Sequence, residues 1–190
     1  MFKRLFSLLF LTTFLAVAQA EPSSPIQVLL TTNQGDIRLE LYPDKAPKTV
    51  ENFLHYVQNN YYDGLIFHRV MENFMIQAGG YTPSLSAREP DRESVINESL
   101  NGLKNEKGTI AMARQTDPNS AKAQFYINVV TNWSLNARNG QPGYTVFGKV
   151  VQGANVADKI SHVYTKAAGP FANLPDTPII IIKAEVVDSE

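Results

Sequence analysis

Short segments in which apolar and polar residues alternate recur along the chain, and they constrain its fold more than any other feature of the sequence. Such alternation places every second side chain on one face of a β-strand. The pattern predicts a hairpin from residues 26–32 and 36–42, which are joined across Thr32-Asn33-Gln34-Gly35. Further strands are predicted near residues 65–71, 74–77, 108–113, 124–129, 144–151 and 177–187.

A helical period occurs at only two places. Four apolar residues recur at the spacing of one helix face after a proline that suits the first helical turn: Pro47, Val50, Phe53, Leu54 and Val57. This helix would end at Asn59-Asn60, and a second short helix is predicted over residues 153–162. Residues 81–107 are polar and are predicted to form an irregular loop. Many short strands with two helices indicate one mainly β domain with a closed or sandwiched sheet.

The N-terminus has the order of a secretory signal peptide. Lys3 and Arg4 precede the apolar segment 5–17, which is followed by Ala18-Gln19-Ala20, an A-x-A cleavage site. A short membrane anchor is the alternative, but this segment is too short to span a bilayer comfortably and polar residues follow it directly. We therefore expect residues 1–20 to be removed and residues 21–190 to form a single exported domain.

Composition excludes several classes of function. The chain has no cysteine, which excludes disulfides, Cys-ligated zinc and thiol catalysis. Loss of Lys3 and Arg4 would leave 15 basic and 18 acidic residues, a formal charge of −3. No basic cluster interleaves with aromatic residues, so we expect no nucleic-acid binding. We expect no membrane insertion of the mature chain, because no segment of it is long and apolar enough.

Residues 66–80, Ile-Phe-His-Arg-Val-Met-Glu-Asn-Phe-Met-Ile-Gln-Ala-Gly-Gly, carry the strongest functional signal. Two short strands here would direct alternate side chains at one surface: Phe67, Arg69 and Met71 from the first, and Met75, Gln77 and Gly79 from the second. That surface would combine an apolar floor with one guanidinium and one amide, which suits an uncharged, partly apolar group. From the spacing alone, an ordinary strand pair with a solvated arginine remains the alternative.

Five blocks resemble the signature blocks of the cyclophilins, in the order and spacing of that family. They are Phe67-His68-Arg69-Val70, residues 73–79, residues 108–113, Ser120 with Gln124-Phe125-Tyr126-Ile127, and residues 146–150. The similarity extends from about Val28 to about Val187. Together with the signal peptide and the short loop Tyr61-Tyr62-Asp63-Gly64, it is strongest to the periplasmic cyclophilins of Gram-negative bacteria.

The resemblance implies a closed eight-stranded antiparallel barrel capped by two α-helices, with a substrate groove on its outer face. It implies peptidyl-prolyl cis–trans isomerase activity during the folding of exported proteins in the periplasm, without a cofactor or a metal. Its partners would be unfolded or flexible polypeptides that contain proline, and we expect a monomer.

The resemblance also assigns the residues of the site. Arg69 would be the catalytic residue, donating a hydrogen bond to the twisted amide or holding a neighbouring carbonyl oxygen. The substrate-binding residues would be Phe74, Met75, Gln77, Ala113, Arg114, Gln124, Tyr126, Leu135 and Tyr144. The proline pocket would be lined by Phe74, Met75, Tyr126 and Leu135. Gln77 would orient Arg69, while Gln124 and the backbone near Arg114 would hold the residues before proline.

Three positions depart from the family pattern. Ser134 stands where many members have tryptophan, with Trp133 one residue earlier, and the sequence leaves open whether Trp133 takes over that role. Because the indole N–H is a donor for cyclosporin-type ligands, we expect weak or no cyclosporin binding. Tyr144 replaces a common histidine and Arg114 a common asparagine, changes that bear on affinity and substrate preference more than on mechanism.

Other functions fit the sequence less well. His68 lies beside Arg69 and invites a general-base role, but proline isomerisation needs no proton transfer, and strand alternation directs His68 away from Arg69. The three histidines of the chain lie on separate predicted elements, which gives no metal-ligand spacing. A hydrolase is disfavoured because the chain lacks a G-x-S-x-G motif. A chaperone that holds proline segments without turnover remains the alternative, and retention of Arg69 favours the enzyme.

Overall fold

The computed structural model describes residues 25–188, so the predicted signal peptide lies outside the described residues. The elements are β1 (Ile26–Thr32), β2 (Gly35–Leu41), α1 (Pro47–Gln58), β3 (Arg69–Met71), β4 (Met75–Ala78), β5 (Thr109–Met112), β6 (Phe125–Asn128), a 3₁₀-helix (Trp133–Leu135), β7 (Val146–Gln152), α2 (Ala154–Ser161), β8 (Thr165–Ala168), β9 (Phe171–Pro175) and β10 (Ile181–Val187). Both predicted helices are confirmed, as is the mainly β character of the chain. No helix within residues 25–188 is long and apolar enough to cross a membrane.

The first hairpin is confirmed with its predicted alternation. β1 and β2 pair in unbroken register from Ile26 opposite Leu41 to Thr32 opposite Gly35. The Thr32 hydroxyl donates to the Gly35 carbonyl oxygen at 2.6 Å, and Gly35 has a φ of +126°, a conformation that a residue with a Cβ rarely adopts. The residues of both strands that face the core are buried: Val28, Leu30, Ile37, Leu39 and Leu41. They alternate along each strand with more exposed residues on the other face of the sheet.

Eight strands form one antiparallel sheet in the order β10-β1-β2-β7-β5-β6-β4-β3. The prediction of a closed barrel is wrong, because the sheet is a curled half-barrel whose end strands, β3 and β10, do not pair with each other in the described chain. The described parts of the two edges are joined only over a short stretch, by the bridge between Ile66 and Ile180 and by backbone hydrogen bonds such as those from Phe67 N–H to the Ile179 oxygen at 2.9 Å and from Ile181 N–H to the Leu65 oxygen at 2.8 Å. β3 is only three residues long, so these hydrogen bonds come from the residues that precede it, and β3 itself does not pair with β10.

Helix α1 covers the concave face of the sheet with its apolar side. The ring of Phe53 lies 5.2 Å from that of Tyr62, 5.5 Å from that of Phe125 and 5.2 Å from that of Phe147, measured between centroids. The carboxylate of Glu98 accepts hydrogen bonds from the backbone N–H groups of Lys48 and Thr49, at 3.1 and 2.9 Å. Negative charge at a helix N-terminus is stabilising, so the long loop 81–107 is fastened to α1.

Two local features differ from the sequence prediction. The sequence did not predict the hairpin of β8 and β9. These two strands form a separate two-stranded sheet, and β9 packs beside β3. The placement of Phe67 on the surface of Arg69 is also wrong, because Phe67 is fully buried in the main core with Val70 and Ile76. The alternation fails there because regular pairing begins only at Arg69, so the two preceding residues do not continue the strand.

Candidate active site

A row of side chains crosses the outer face of the half-barrel. Arg69 on β3 lies directly opposite Gln77 on β4, and Gln77 lies opposite Tyr126 on β6. The row continues to Ala111 on β5 and then to Val146 on β7. Directly paired residues of neighbouring strands share one face, so strand pairing alone brings Arg69, Gln77 and Tyr126 together.

A second apolar cluster lies on this outer face, separate from the main core. Its buried members are Met75, Ala111, Tyr126 and Val146, and its partly buried members are Met71, Phe74, Leu103, Ala113, Leu135 and Tyr144. A cavity of about 170 Å³ opens into it, hereafter called the small cavity. Nine of the predicted site residues line this cavity: Arg69, Phe74, Met75, Gln77, Ala113, Arg114, Tyr126, Leu135 and Tyr144. The structure therefore brings these side chains together around one apolar depression.

Arg69 is exposed at the rim of the small cavity and is oriented from two sides. Its Nη1 donates to Oε1 of Gln77 at 3.3 Å, and its Cζ lies 5.9 Å from the centre of the Phe74 ring. Among the described residues Arg69 forms no ion pair, which leaves its remaining N–H donors available at the rim of the cavity. A guanidinium presents its donors in a rigid planar fork, which suits carbonyl oxygens and amide nitrogens.

Gln124, the tenth predicted site residue, lies beyond Gln77. Its Oε1 accepts a hydrogen bond from Nε2 of Gln77 at 2.9 Å, which makes a chain of contacts from Arg69 through Gln77 to Gln124. Gln124 lines an adjoining cavity of about 390 Å³, hereafter called the large cavity. Gln77, Ala113 and Arg114 line both cavities, so the two depressions form one groove.

Arg114 separates the two cavities and holds the loop that follows β5. Its guanidinium lies 4.5 Å from the centre of the Tyr144 ring, and its Nε donates to the carbonyl oxygen of Gly143 at 3.2 Å. Its Nη1 also donates to the carbonyl oxygens of Gln115 and Thr116, at 2.8 and 3.3 Å. The prediction for this position concerned only its backbone, whereas the structure gives its side chain a clear role in shaping the groove.

Tyr126 forms a wall of the small cavity, and its hydroxyl points into the protein. The hydroxyl donates to Oδ1 of Asn105 at 2.7 Å, and burial raises the pKa of Tyr126 well above its usual range. Sequence reasoning did not identify Asn105, which lies in the loop 81–107 and resembles an ordinary turn residue. No local sequence pattern could have identified it, because its partner lies 21 residues away.

Trp133 does not enter the small cavity. It begins the 3₁₀-helix that ends at Leu135, and 66% of its surface is exposed. Leu135 lines the cavity, while Ser134 and Trp133 do not. The indole is therefore not among the walls that a proline ring would contact.

His68 is buried and lines neither cavity of the groove. Only 4% of its surface is exposed, and its ring lies 4.8 Å from that of Tyr81 and 6.2 Å from that of Phe171. Burial lowers the pKa of His68 to about 4, so the imidazole is neutral at pH 7. The described residues contain no group of three or more histidine and carboxylate side chains that could hold a metal ion.

Comparisons with known proteins identify the family of this chain. A family model described as cyclophilin type peptidyl-prolyl cis-trans isomerase/CLD matches residues 27–186. The chain belongs to this family. Peptidyl-prolyl cis-trans isomerase A of Dickeya dadantii is 45% identical over 181 residues, which cover 95% of this chain and 94% of the relative. Peptidyl-prolyl cis-trans isomerase B of Escherichia coli K12 is 47% identical over 158 residues, which cover 81% of this chain and 95% of the relative.

A solved structure shows the same fold in a distant organism. A cyclophilin type peptidyl-prolyl cis-trans isomerase of Cryptosporidium parvum, crystallised in the presence of the dipeptide Ala-Pro, superposes with a TM-score of 0.74 at 26% identity. The match covers 86% of this chain and 99% of that one. The half-barrel with its two helices is therefore the cyclophilin fold, and the chain is a peptidyl-prolyl cis–trans isomerase.

Proposed function

We propose that this cyclophilin accelerates rotation about X-Pro bonds during the folding of exported proteins, with Arg69 as the donor that stabilises the twisted amide. The observation that carries the proposal is the position of Arg69, whose exposed guanidinium is held by Gln77 at the rim of an apolar cavity of about 170 Å³. A cavity smaller than a typical drug-sized pocket suits one small apolar ring, and proline has such a ring.

The chemistry of proline isomerisation needs little more than this arrangement. The X-Pro bond has a rotation barrier of about 18–20 kcal/mol, because rotation breaks the amide resonance. The nitrogen of the twisted amide has regained its lone pair and accepts a hydrogen bond, whereas the planar amide nitrogen does not. A donor aimed at this atom therefore binds the transition state better than either ground state. A millionfold acceleration requires about 8 kcal/mol, which a charge-assisted contact and good positioning can together supply.

The rest of the groove would bind the polypeptide around the proline. Phe74, Met75, Tyr126 and Leu135 supply apolar walls for the ring, and the continuous groove leads past Gln77 into the large cavity. Residues before the proline would lie there, against Gln124 and the backbone near Arg114. Support for X-Pro ligands comes from the relative of Cryptosporidium parvum, which was crystallised with Ala-Pro.

The place of action is proposed from the N-terminal sequence. Residues 1–20 have the charge, the apolar segment and the A-x-A site of a secretory signal peptide. We infer export to the periplasm, where unfolded or flexible polypeptides that contain proline would be the partners of a monomeric enzyme. Fractionation of cells and the N-terminal sequence of the recovered protein test this inference. A mature protein that begins at Glu21 is expected, and an uncleaved cytoplasmic protein would contradict it.

The function itself is tested by refolding of an exported protein whose slow phase is limited by proline isomerisation. Catalytic amounts of residues 21–190 should accelerate that phase, while Arg69→Ala at the same concentration should not. Arg69→Lys keeps the charge but loses the planar fork, so we expect it to retain only a minor part of the acceleration. If all three proteins merely suppress aggregation in stoichiometric amounts, the protein is a holding chaperone.

A further inference from the structure

Asn105 is the centre of a buried hydrogen-bond network beneath the small cavity. Its Oδ1 accepts from the Tyr126 hydroxyl at 2.7 Å and from Nδ2 of Asn128 at 3.1 Å. Its own Nδ2 and its backbone N–H both donate to Oδ1 of Asn136, at 3.1 and 2.7 Å. Its backbone carbonyl oxygen accepts from the N–H of Asn132 at 2.7 Å. Asn105 thus joins β6 to the segment that contains the 3₁₀-helix.

Asn132 extends the network to the turn between β3 and β4. Its Nδ2 donates to the backbone carbonyl oxygen of Phe74 at 2.8 Å and to Oδ1 of Asn128 at 2.7 Å. Its own carbonyl oxygen accepts from the N–H of Leu135 at 3.0 Å. Asn105, Asn128 and Asn132 are all buried, and their amides find partners in one another. The walls of the small cavity come from separate elements of the fold, and this network ties three of those walls together: Phe74, Tyr126 and Leu135.

We propose that Asn105, acting through the Tyr126 hydroxyl and the 3₁₀-helix, is a positioning residue that sets the affinity of the small cavity for proline. The proposal rests on the proposed function, in that it assigns the proline ring to this cavity. Neither Asn105 nor the Tyr126 hydroxyl reaches the reacting amide. Both act by fixing the distance between opposite walls, because a buried amide that loses its partner forces its neighbours to rearrange.

The cavity walls would contact the ring in both the planar and the twisted state of the amide. Loss of such an interaction weakens substrate and transition state equally, which raises KM and leaves kcat nearly unchanged. Loss of the Arg69 donor has the opposite signature, since it lowers kcat. The split between KM and kcat therefore distinguishes a positioning residue from a catalytic residue.

The test uses Tyr126→Phe, which removes one hydroxyl and keeps the aromatic wall, and Asn105→Ala, which removes the centre of the network. For an X-Pro peptide we expect Tyr126→Phe to raise Kd and KM about fivefold and Asn105→Ala about tenfold, with kcat within about twofold of the wild type. In the double variant, Tyr126→Phe should add almost nothing to Asn105→Ala, because the hydroxyl acts through that side chain.

Tyr62→Phe is the matched control for an unspecific loss of stability. The Tyr62 hydroxyl is also buried and makes one hydrogen bond, to the carbonyl oxygen of Ala123 at 2.9 Å, in the main core. The Tyr62→Phe variant should lower the urea midpoint of unfolding as Tyr126→Phe does, but should leave the Kd and KM for the peptide unchanged. Equal effects of both tyrosine variants on Kd, or independent effects of Tyr126→Phe and Asn105→Ala, would overturn the proposal.

Failure of the proposed function would look different, because Kd is measured by titration without turnover. A wild type that binds the peptide but does not accelerate exchange refutes the isomerase mechanism, while the Kd values of the variants still decide the role of Asn105. If Asn105→Ala does not fold, Tyr126→Phe alone decides, and an unchanged Kd in that variant overturns the proposal.

Discussion

The pH dependence of stability gives a quantitative test of the role of His68. Burial against Tyr81 and Phe171 lowers the pKa of His68 from 6.5 to about 4. Between these two values the unfolded chain binds a proton that the folded protein excludes. Stability must therefore fall as the pH falls through this window, because protonation favours the unfolded state.

The size of the effect follows from the two pKa values. A full shift of about 2.5 pH units corresponds to about 3 kcal/mol, at 1.36 kcal/mol per unit. Between pH 7.5 and pH 5, the part that should be lost is about 2 kcal/mol, since His68 remains mostly neutral in the folded protein at pH 5. This is a large share of the stability of an ordinary domain, so urea unfolding at the two pH values should reveal it easily.

The assay compares the wild type with His68→Phe, which retains an aromatic side chain among aromatic neighbours but cannot titrate. Packing differences change the stability of this variant at both pH values, so only the change with pH is compared. His68→Phe should lose about 2 kcal/mol less than the wild type between pH 7.5 and pH 5. An identical loss in both proteins would refute the burial argument.

His162 supplies a control of opposite sign. It is exposed, and a hydrogen bond to the Asp158 backbone, together with the nearby carboxylates of Asp158 and Glu72, raises its pKa. A raised pKa means that the folded protein binds the proton more tightly, so His162 stabilises the fold below its unfolded pKa and loses that contribution as pH rises through the folded pKa. His162→Gln should therefore make the protein more sensitive to acid, whereas His68→Phe should make it less sensitive.

Other predictions concern the groove. Because His68 is already neutral at pH 7, kcat for one X-Pro peptide should be flat between pH 6 and pH 8; a kcat that changes through this range would show that a group with a pKa near neutrality takes part. The charged residues that line the large cavity are Arg88, Arg114, Lys122 and one acid, Glu89. Peptides with Glu before proline should therefore react several-fold faster at low salt than peptides with Lys there, and 0.5 M salt should remove the difference. Equal rates at low salt would contradict this charge argument. A Cβ on Gly80 would lie 2.5 Å from Nε2 of Gln124. Gly80→Ala should therefore displace Gln124 from Gln77 and lower turnover several-fold without unfolding the protein. Unchanged turnover would show that Gln124 does not contribute to the site. Cyclosporin should inhibit the wild type weakly because Trp133 lies outside the small cavity. Ser134→Trp should strengthen the inhibition. Tight inhibition of the wild type would show that the indole is not required.

The pairing of Arg69 with Gln77 could be predicted from strand alternation, whereas the other site residues followed from the family resemblance. Arg69 and Gln77 lie opposite each other since two short strands joined by a tight turn must pair residues that are symmetric about it. The same rule fails at Phe67, where the chain is not yet in a regular strand. Helix α1 was predictable because its apolar residues keep one face toward the core over its full length.

The remaining features depend on contacts that the sequence does not display locally. The β8–β9 hairpin has little apolar alternation, so its strands resemble a polar loop. Asn105 gains its role from residues 21 to 31 positions away, and an isolated asparagine in a polar loop predicts only a turn. Closure of the sheet depends on how far β3 extends along β10, which a pattern of single strands cannot determine.

We expect Arg69 to act on the transition state and the apolar cavity to act on affinity. The measurement that tests it most directly is NMR exchange spectroscopy on one X-Pro peptide, because line shapes give the Kd and the catalysed cis–trans rate in the same sample. For Arg69→Ala we predict a Kd within about threefold of the wild type and a rate lower by at least about a hundredfold. A near-normal rate in this variant, or a rate that falls only in proportion to binding, would contradict the account.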